Sequence, residues 1–246
     1  RIFFQHSEDR GETWHQWSIP PQPERSVQDF VGDYGDCISR VRRLRDGRLI
    51  ATGVARPGPD WRHSDQRPGK PVMLCSSDEG RSWRPQRILL PPAARTPGAW
   101  NEWDSVQLAT GDLLCVFRRY GPNDLSTQER WQGTLRKTAA GEWRLEDYRP
   151  AELSHSGHPE LLGTREGPVL HVATTGIKWT EDGGQSWNRL RFPGAAEPYR
   201  SAYYPNSVQA ADGRIYIFSH RGWDNAYGET AQAILMDTFV LKSEPG

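Results

Sequence analysis

An eight-residue motif occurs three times in the chain, and this repetition limits the possible folds more than any other feature. The motif reads Ser or Thr, any residue, Asp, any residue, Gly, any residue, Ser or Thr, and Trp. Its copies are SEDRGETW at 7–14, SSDEGRSW at 76–83 and TEDGGQSW at 180–187. In a tight turn an Asp accepts backbone N–H bonds, a Gly permits positive φ, and a Trp anchors the following strand. This motif, called the box below, therefore predicts a structural turn between two β-strands rather than a catalytic loop.

A second repeat alternates with the box and consists of a two-residue turn, with Gly as its second residue, before an apolar strand. Its copies are Asp46-Gly47 before RLIATGV, Thr110-Gly111 before DLLCVF, Glu166-Gly167 before PVLHVATTG, and Asp212-Gly213 before RIYIFSH. Each copy has the pattern of a β-hairpin. The four glycines are 64, 56 and 46 residues apart. This spacing is typical of four-stranded propeller blades with outer loops of variable length.

These repeats predict an all-β chain in which residues 1–246 belong to a single β-propeller domain. The predicted blades cover approximately 1–18 (a partial blade), 31–90, 100–148, 153–192 and 200–241. Because the first box has no inner strands before it, we expect N-terminal blade sequence upstream of Arg1. A signal peptide in that upstream sequence would make the protein secreted or periplasmic, and the sequence leaves the compartment open.

Charge and composition exclude several classes of function. Lys and Arg together number 31, as do Asp and Glu, so the chain lacks the basic excess of a nucleic-acid-binding protein. No apolar run approaches the roughly 18 residues of a membrane span. The three cysteines are widely spaced and lack metal-binding neighbours. We therefore expect no nucleic-acid partner, no membrane span, no metal and no cofactor.

Polar residues recur at equivalent places in the repeat, where the innermost strands of a propeller line the central axis. Eight residues before the first turn residue stand Ile38, Glu102, His158 and Tyr204. Two residues further on, and on the same strand face, stand Arg40, Asp104, Glu160 and Asn206. Seven residues after the turn glycine stand Val54, Arg118, Thr174 and His220. The pattern predicts an ionisable rim at one edge of the propeller.

Two interpretations of this rim are open. The groups could form a network that is satisfied internally and specifies packing, because buried charges without partners are costly. Alternatively, they could line a polar cleft that binds a ligand.

The chain resembles the sialidase (neuraminidase) superfamily of six-bladed propellers, in which the box is called the Asp box or BNR repeat. The resemblance rests on the boxes, on NEWDSVQLATGDLLCVFR at 101–118 and on YYPNSVQAADGRIYIFSH at 203–220. It implies a six-bladed fold and an exo-acting glycoside hydrolase that removes a terminal acidic sugar, sialic acid or a related one, from a glycan substrate.

The same resemblance implies roles for individual residues. Tyr204 occupies the place of the family's nucleophile, Glu102 that of its base, and Arg118 that of one of three arginines that bind the substrate carboxylate. A Tyr suits this chemistry because a carboxylate nucleophile would meet a like charge on the sugar. The acid/base Asp and the first arginine are expected upstream of Arg1, and Arg200 is the candidate replacement for the remaining arginine.

Further residues of the rim, together with Asp224 from the loop at 220–229, complete the predicted site. The residues expected to contact substrate besides Arg118 and Arg200 are Arg40, Asp104, His158, Glu160, His220 and Asp224. Two other functions stay open at this point. One is a propeller hydrolase or lyase that acts on a different acidic glycan, with Glu102 or Asp104 and a histidine as acid and base. The other is a noncatalytic propeller that binds glycans or proteins.

Overall fold

The computed structural model describes residues 3–18, 35–55, 70–95, 102–121, 124–154, 157–192, 203–221 and 233–242. Within these ranges the chain is almost entirely β-strand, as predicted, and its one helical segment is the 3-10 turn Pro92–Arg95. No helix in this part of the chain is long and apolar enough to cross a membrane.

The described strands form a hairpin and four antiparallel sheets of blade type. The hairpin consists of β1 (Phe3–His6) and β2 (His15–Ser18). The first blade contains β3 (Gly35–Arg43), β4 (Leu49–Ala55), β5 (Lys70–Ser76) and β6 (Arg84–Gln86). The short strand β7 (Ile88–Leu89) follows. The second blade contains β8 (Trp103–Gln107), β9 (Leu113–Gly121), β10 (Asp124–Lys137) and β11 (Trp143–Pro150).

Strand β7 lies parallel to β11 and extends the second blade to five strands. The third blade contains β12 (Leu161–Gly163), β13 (Val169–Ala173), β14 (Gly176–Thr180) and β15 (Asn188–Arg189). The fourth contains β16 (Tyr203–Gln209), β17 (Ile215–Arg221) and β18 (Ala233–Phe239). Apart from β7, the strands of each blade pair in chain order, as consecutive hairpins require.

The predicted count of six blades is wrong for the described residues, which form four blades. That count came from the family resemblance, whereas the glycine-turn repeat, which pairs the two inner strands of each blade, occurs four times. The assignment of residues 1–246 to one domain with the predicted blade limits stays a prediction, because several limits fall outside the described ranges.

Each glycine turn joins the first two strands of its blade at the same edge of the propeller. In the first blade the Leu44 N–H donates to the Arg48 carbonyl over 2.7 Å, and the Gly47 N–H donates to the Leu44 carbonyl over 3.0 Å. Gly47 has a φ of 86°, a left-handed conformation that favours glycine. The loop therefore spans three residues rather than two, with glycine at its last position.

Each box joins the two outermost strands of its sheet. In the second box Asp78 accepts hydrogen bonds from the Ser76 hydroxyl over 2.7 Å and the Ser82 N–H over 2.9 Å. The Trp83 indole N–H donates to the Gly80 carbonyl over 3.0 Å. These bonds lower the pKa of Asp78 to about 2, with those from Ser82 contributing most. The box is thus a structural turn, as its residue types predict.

Successive blades pack face to face through apolar clusters. The first and second blades bury Ile50, Met73, Trp103 and Phe117 together. Leu114, Val116, Leu161 and Val169 join the second blade to the third. Leu170, Val172, Ile215 and Ile217 join the third blade to the fourth. This packing brings the inner strands β3, β8, β12 and β16 next to one another in chain order.

Polar contacts at the turn edge join two pairs of blades in the same way. The Arg45 N–H donates to Gln107 Oε1 over 2.8 Å, and the Arg45 side chain donates to the Ala109 carbonyl over 3.0 Å. Arg165 repeats both contacts one blade pair later, with Gln209 over 2.8 Å and the Ala211 carbonyl over 2.7 Å. We call each set of contacts a latch.

Candidate active site

The ionisable rim lies at the propeller edge opposite the glycine turns, where the inner strands begin. The pairing of the strands determines where the residues of this rim lie. Trp103 lies opposite Phe117 in the ladder between β8 and β9, which brings Glu102 beside Arg118. The Arg118 N–H donates to the Glu102 carbonyl over 2.8 Å. A residue that begins one inner strand is therefore fixed against a residue near the end of the next strand.

Arg118, to which the resemblance assigns carboxylate binding, contacts both residues to which it assigns catalysis, Glu102 and Tyr204. Its Nη1 donates to Glu102 Oε2 over 2.5 Å and lies 3.5 Å from the Tyr204 hydroxyl. The Arg118 side chain is 9% exposed and that of Glu102 is 18% exposed, so the pair is largely shielded while its edge reaches solvent. The second and fourth blades thus meet at a single guanidinium.

Tyr204 adopts a backbone conformation that is rare for a residue with a side chain. Its φ is 49°, in the left-handed region, and the residue after it is Pro205. The register between β16 and β17 shifts between Tyr203 and Asn206, which marks a β-bulge. Strained backbone of this kind occurs at ligand-binding and catalytic positions more than elsewhere.

A buried ion pair lies beside this bulge. Arg40 donates to Glu160 Oε2 from Nε over 2.9 Å and from Nη2 over 2.6 Å. The other oxygen of Glu160 accepts the Ser207 N–H over 2.7 Å and the Ser207 hydroxyl over 2.5 Å. Burial raises the pKa of Glu160 more than Arg40 lowers it. The carboxyl group is enclosed by the first, third and fourth blades.

A second buried pair joins Asp104 to Arg42. Arg42 donates to Asp104 Oδ2 over 2.6 Å, and the same oxygen accepts the Leu161 N–H over 2.8 Å. The Ser105 N–H donates to Oδ1 over 2.8 Å. Burial opposes ionisation of Asp104, but Arg42 and Arg40 outweigh it, so the pKa of Asp104 lies below its ordinary value. The carboxylate is fully buried and bound at both oxygens, which favours the packing interpretation for this residue.

His158 precedes β12 and is buried at the inner end of the rim. Its Nδ1 lies 2.5 Å from the Pro159 carbonyl. Burial, followed by the positive charge of Arg40, lowers the pKa of His158 to about 4. The imidazole is therefore neutral at pH 7 and does not supply a positive charge or an acidic proton there.

The structure brings together seven of the ten predicted site residues. They are Arg40, Glu102, Asp104, Arg118, His158, Glu160 and Tyr204. His220 lies on β17, where its backbone pairs with Tyr203 and Ile234, and its side chain is outside the description. Arg200 and Asp224 lie outside the described residues. A substrate-binding role for any of these residues stays a prediction.

Sequence reasoning missed Arg42 and Ser207. Arg42 lies two residues beyond Arg40 on the same strand face, where the other three repeats carry Val106, Leu162 and Val208. Comparing one more position of the repeat would have found it. Ser207 could not be found in this way. Strict alternation places it on the strand face opposite that of Tyr204 and Asn206, and the bulge in β16 changes this pattern. Among the described residues, no group of three or more His, Cys, Asp or Glu side chains is arranged to hold a metal ion.

Comparison with known proteins shows similarity in fold. No protein-family model matches the chain, and no curated protein matches it. A Dyadobacter fermentans protein of unknown function aligns with 96% of this chain and 63% of its own at 15% identity and a TM-score of 0.61. A Penicillium chrysogenum α-L-arabinanase aligns with 80% of this chain and 60% of its own at 15% identity and a TM-score of 0.52.

A Fusarium graminearum α-L-arabinofuranosidase gives a similar result, with 81% of this chain and 61% of its own at 14% identity and a TM-score of 0.51. The chain thus spans about three fifths of the length of these structures. Two of the three are glycoside hydrolases and none is named a sialidase. The comparisons therefore show a fold shared with glycoside hydrolases and give no support to the narrower sialidase resemblance.

Proposed function

We propose that this protein is an exo-acting glycoside hydrolase in which Tyr204 is the nucleophile and Glu102 is its base. The observation that carries the proposal is the position of Arg118 Nη1, which contacts both Glu102 Oε2 and the Tyr204 hydroxyl. A phenol, a carboxylate and a guanidinium converge at the edge of the inner strands. The left-handed backbone of Tyr204 adds independent support, since strain of this kind is retained at functional positions.

The proposed reaction has two displacement steps. In the first, Glu102 takes the phenol proton while the Tyr204 oxygen bonds to the anomeric carbon, and the bond to the leaving oxygen breaks as that oxygen takes a proton from the acid/base Asp expected upstream of Arg1. The positive charge of Arg118 favours the phenolate character that develops on Tyr204. In the second step, water gives its proton to that same Asp and bonds to the anomeric carbon, while the departing Tyr204 oxygen takes back the proton held by Glu102, so the configuration at the anomeric carbon is retained overall.

We further propose that the substrate is a terminal acidic sugar, sialic acid or a related one. A neutral tyrosine avoids the repulsion that a carboxylate nucleophile would meet on a carboxylated anomeric centre. Arg118 Nη1 lies 3.5 Å from the Tyr204 hydroxyl and would bind the sugar carboxylate through a charge-assisted bond. The arabinan-related names of two structural neighbours make a neutral pentoside the competing substrate.

Fluorogenic glycosides test the proposal directly. Turnover of a 4-methylumbelliferyl sialoside and of the matching α-L-arabinofuranoside would be compared for the parent protein, Tyr204→Phe and the control Tyr216→Phe. Tyr216 lies in the same blade on β17, near the turn edge. We expect sialoside turnover in the parent and the control, and a loss of more than 100-fold in Tyr204→Phe.

Each other result overturns a specific part of the proposal. Full activity in Tyr204→Phe would exclude that residue as the nucleophile. Turnover of the arabinofuranoside alone would overturn the acidic substrate and retain the hydrolase. Saturable binding of either sugar without turnover would instead identify a glycan-binding propeller.

A further inference from the structure

The bend that carries Tyr204 is held by side chains from two other blades. At this point β16 departs from regular strand geometry, with a φ of 49° at Tyr204 and a register shift before Asn206. A bulge leaves part of the ladder between neighbouring strands disrupted. The ladder with β17 therefore does not by itself fix the direction in which the phenol points.

The Arg40–Glu160 pair supplies contacts on the C-terminal side of the bend. Arg40 Nη2 donates to the Pro205 carbonyl over 3.1 Å, immediately after Tyr204. Glu160 accepts both the N–H and the hydroxyl of Ser207, over 2.7 and 2.5 Å. Two of these hydrogen bonds bind the backbone, at Pro205 and Ser207, and the third binds the Ser207 side chain, all within three residues of Tyr204.

Burying the Arg40–Glu160 ion pair between three blades is energetically unfavourable compared with burying apolar side chains there. The Glu160 side chain is 1% exposed and that of Arg40 is 15% exposed. Removing both charges from water costs several kcal/mol per ion, and an apolar pair of similar volume is often as stable or more stable. The pair is therefore better explained by the backbone conformation that it specifies than by stability.

We propose that Glu160 and Arg40 are positioning residues that hold the Tyr204–Pro205 bend so that the phenol stays beside Arg118. They act on Tyr204 through the backbone of Pro205 and Ser207 and contact no reacting atom. The catalytic consequence rests on the function proposed above, whereas the positioning itself is a property of the folded protein that can be measured without substrate.

Fluorine NMR measures the positioning directly. With 3-fluorotyrosine incorporated at position 204, we expect one sharp resonance in the parent protein, which reports a single phenol environment. Glu160→Gln keeps the size of the side chain and removes its charge, so the resonance should shift or split into two. The matched control is Glu166→Gln, because Glu166 is an exposed glutamate of the same blade that also binds the fourth blade, through Gln209. The control should leave the resonance unchanged.

Two milder variants keep the test valid if Glu160→Gln fails to fold. Arg40→Lys retains the charge but cannot bind Glu160 twice and Pro205 at once, and Ser207→Ala removes only the hydroxyl contact. Near-ultraviolet circular dichroism establishes that each variant is folded. A shifted or split resonance in a folded variant supports the proposal, and an unchanged resonance in every folded variant overturns it.

Kinetics separate this proposal from the proposed function. If Tyr204 is the nucleophile, Glu160→Gln should lower kcat by about 10- to 100-fold with little change in KM, because misplacement of a reacting group by about 1 Å costs up to that factor. A parent protein that turns over no glycoside would overturn the function, while a fluorine response would still support the positioning. Normal kcat in Glu160→Gln together with an unchanged resonance would overturn the positioning alone.

Discussion

The backbone and the side chain of Arg118 both bind Glu102. The Arg118 N–H donates to the Glu102 carbonyl over 2.8 Å, and Nη1 donates to the carboxylate over 2.5 Å. The first contact follows from the pairing of β8 with β9. Strand register thus sets the place of the ion pair, and the Tyr204 hydroxyl approaches it from the fourth blade.

Glu102→Gln should lower turnover of the fluorogenic sialoside by about 100- to 10,000-fold, because a glutamine cannot accept the proton that a general base removes. The size of the side chain and its backbone contact to Arg118 are retained, but the Arg118 charge loses its carboxylate, so the melting temperature should fall and turnover is compared below the transition, in protein shown to be folded by near-ultraviolet circular dichroism. The matched control is Glu142→Gln, which breaks the surface pair with Arg87, an Nη1–Oε1 contact of 2.9 Å. Equal kcat in Glu102→Gln and the parent would exclude Glu102 as the base.

The Arg42–Asp104 pair should make a large contribution to stability when one partner alone is removed. Asp104→Asn leaves the Arg42 charge without its carboxylate and should lower the free energy of unfolding by about 3–5 kcal/mol. Urea denaturation measures this change. The control is Asp46→Asn, since Asp46 pairs with Arg48 at the surface over 2.5 Å. An exposed pair of that kind contributes at most about 1 kcal/mol.

A double variant distinguishes a broken pair from a lost side chain. Arg42→Met combined with Asp104→Asn removes both charges, so it should recover part of the stability that Asp104→Asn loses. If the double variant loses more free energy of unfolding than the two single variants lose together, the unpaired charge of Arg42 is not what destabilises Asp104→Asn.

The repeats predicted much of the fold because their chemistry is local. A positive φ of 86° at Gly47 and the bonds around Asp78 depend on neighbouring residues, so a short motif carries enough information for both. Strict strand alternation also brought Glu102 and Arg118 together correctly, because the pairing of β8 with β9 has no register shift.

Register shifts in two strands explain why some side-chain contacts of the candidate site could not be predicted from the sequence. Strand β3 has irregularities at Asp36–Ile38 and Ile38–Arg40, and β16 has one between Tyr203 and Asn206. Since one extra residue reverses the face of every later side chain, the partnership of Glu160 with Ser207 was not predictable from alternation. The predicted six blades failed for a different reason, because a family resemblance does not count the blades that a chain contains.

Two buried histidines should make the protein less stable as the pH falls below neutrality. Burial is the main cause that lowers the pKa of His158 from 6.5 to about 4 and that of His171 from 6.5 to about 3. Between pH 6.5 and 4 the unfolded chain binds protons at both residues while the folded chain does not. The free energy of unfolding should therefore fall with decreasing pH, by up to about 1.4 kcal/mol per pH unit for each histidine.

The variant His171→Leu isolates one of these contributions. Glu160 acts in the opposite direction, because its raised pKa makes the folded chain bind a proton more readily, so the comparison must be between two proteins that both contain it. Urea denaturation of the parent and His171→Leu at several pH values between 4 and 7 should give a shallower pH dependence for the variant. Parallel curves would show that His171 binds its proton equally in the folded and unfolded states.

The two latches should differ in their response to the same substitution. Gln107 Nε2 donates to the Gly111 carbonyl over 3.2 Å, whereas Gln209 Nε2 also donates to both oxygens of Glu166, over 3.0 and 2.8 Å. Glutamate at either position keeps the acceptor for the arginine N–H and removes the donor, but only Gln209→Glu places a second carboxylate against Glu166. We expect Gln107→Glu to lower the free energy of unfolding by about 0.5–1.5 kcal/mol, the ordinary value of a hydrogen bond, and Gln209→Glu to lower it by more.

The additional loss of stability in Gln209→Glu should become smaller in high salt and at a pH low enough to protonate Glu166, whose pKa the Gln209 side chain lowers. Equal losses at both positions would mean that the Glu166 contact contributes nothing to the junction between the third and fourth blades.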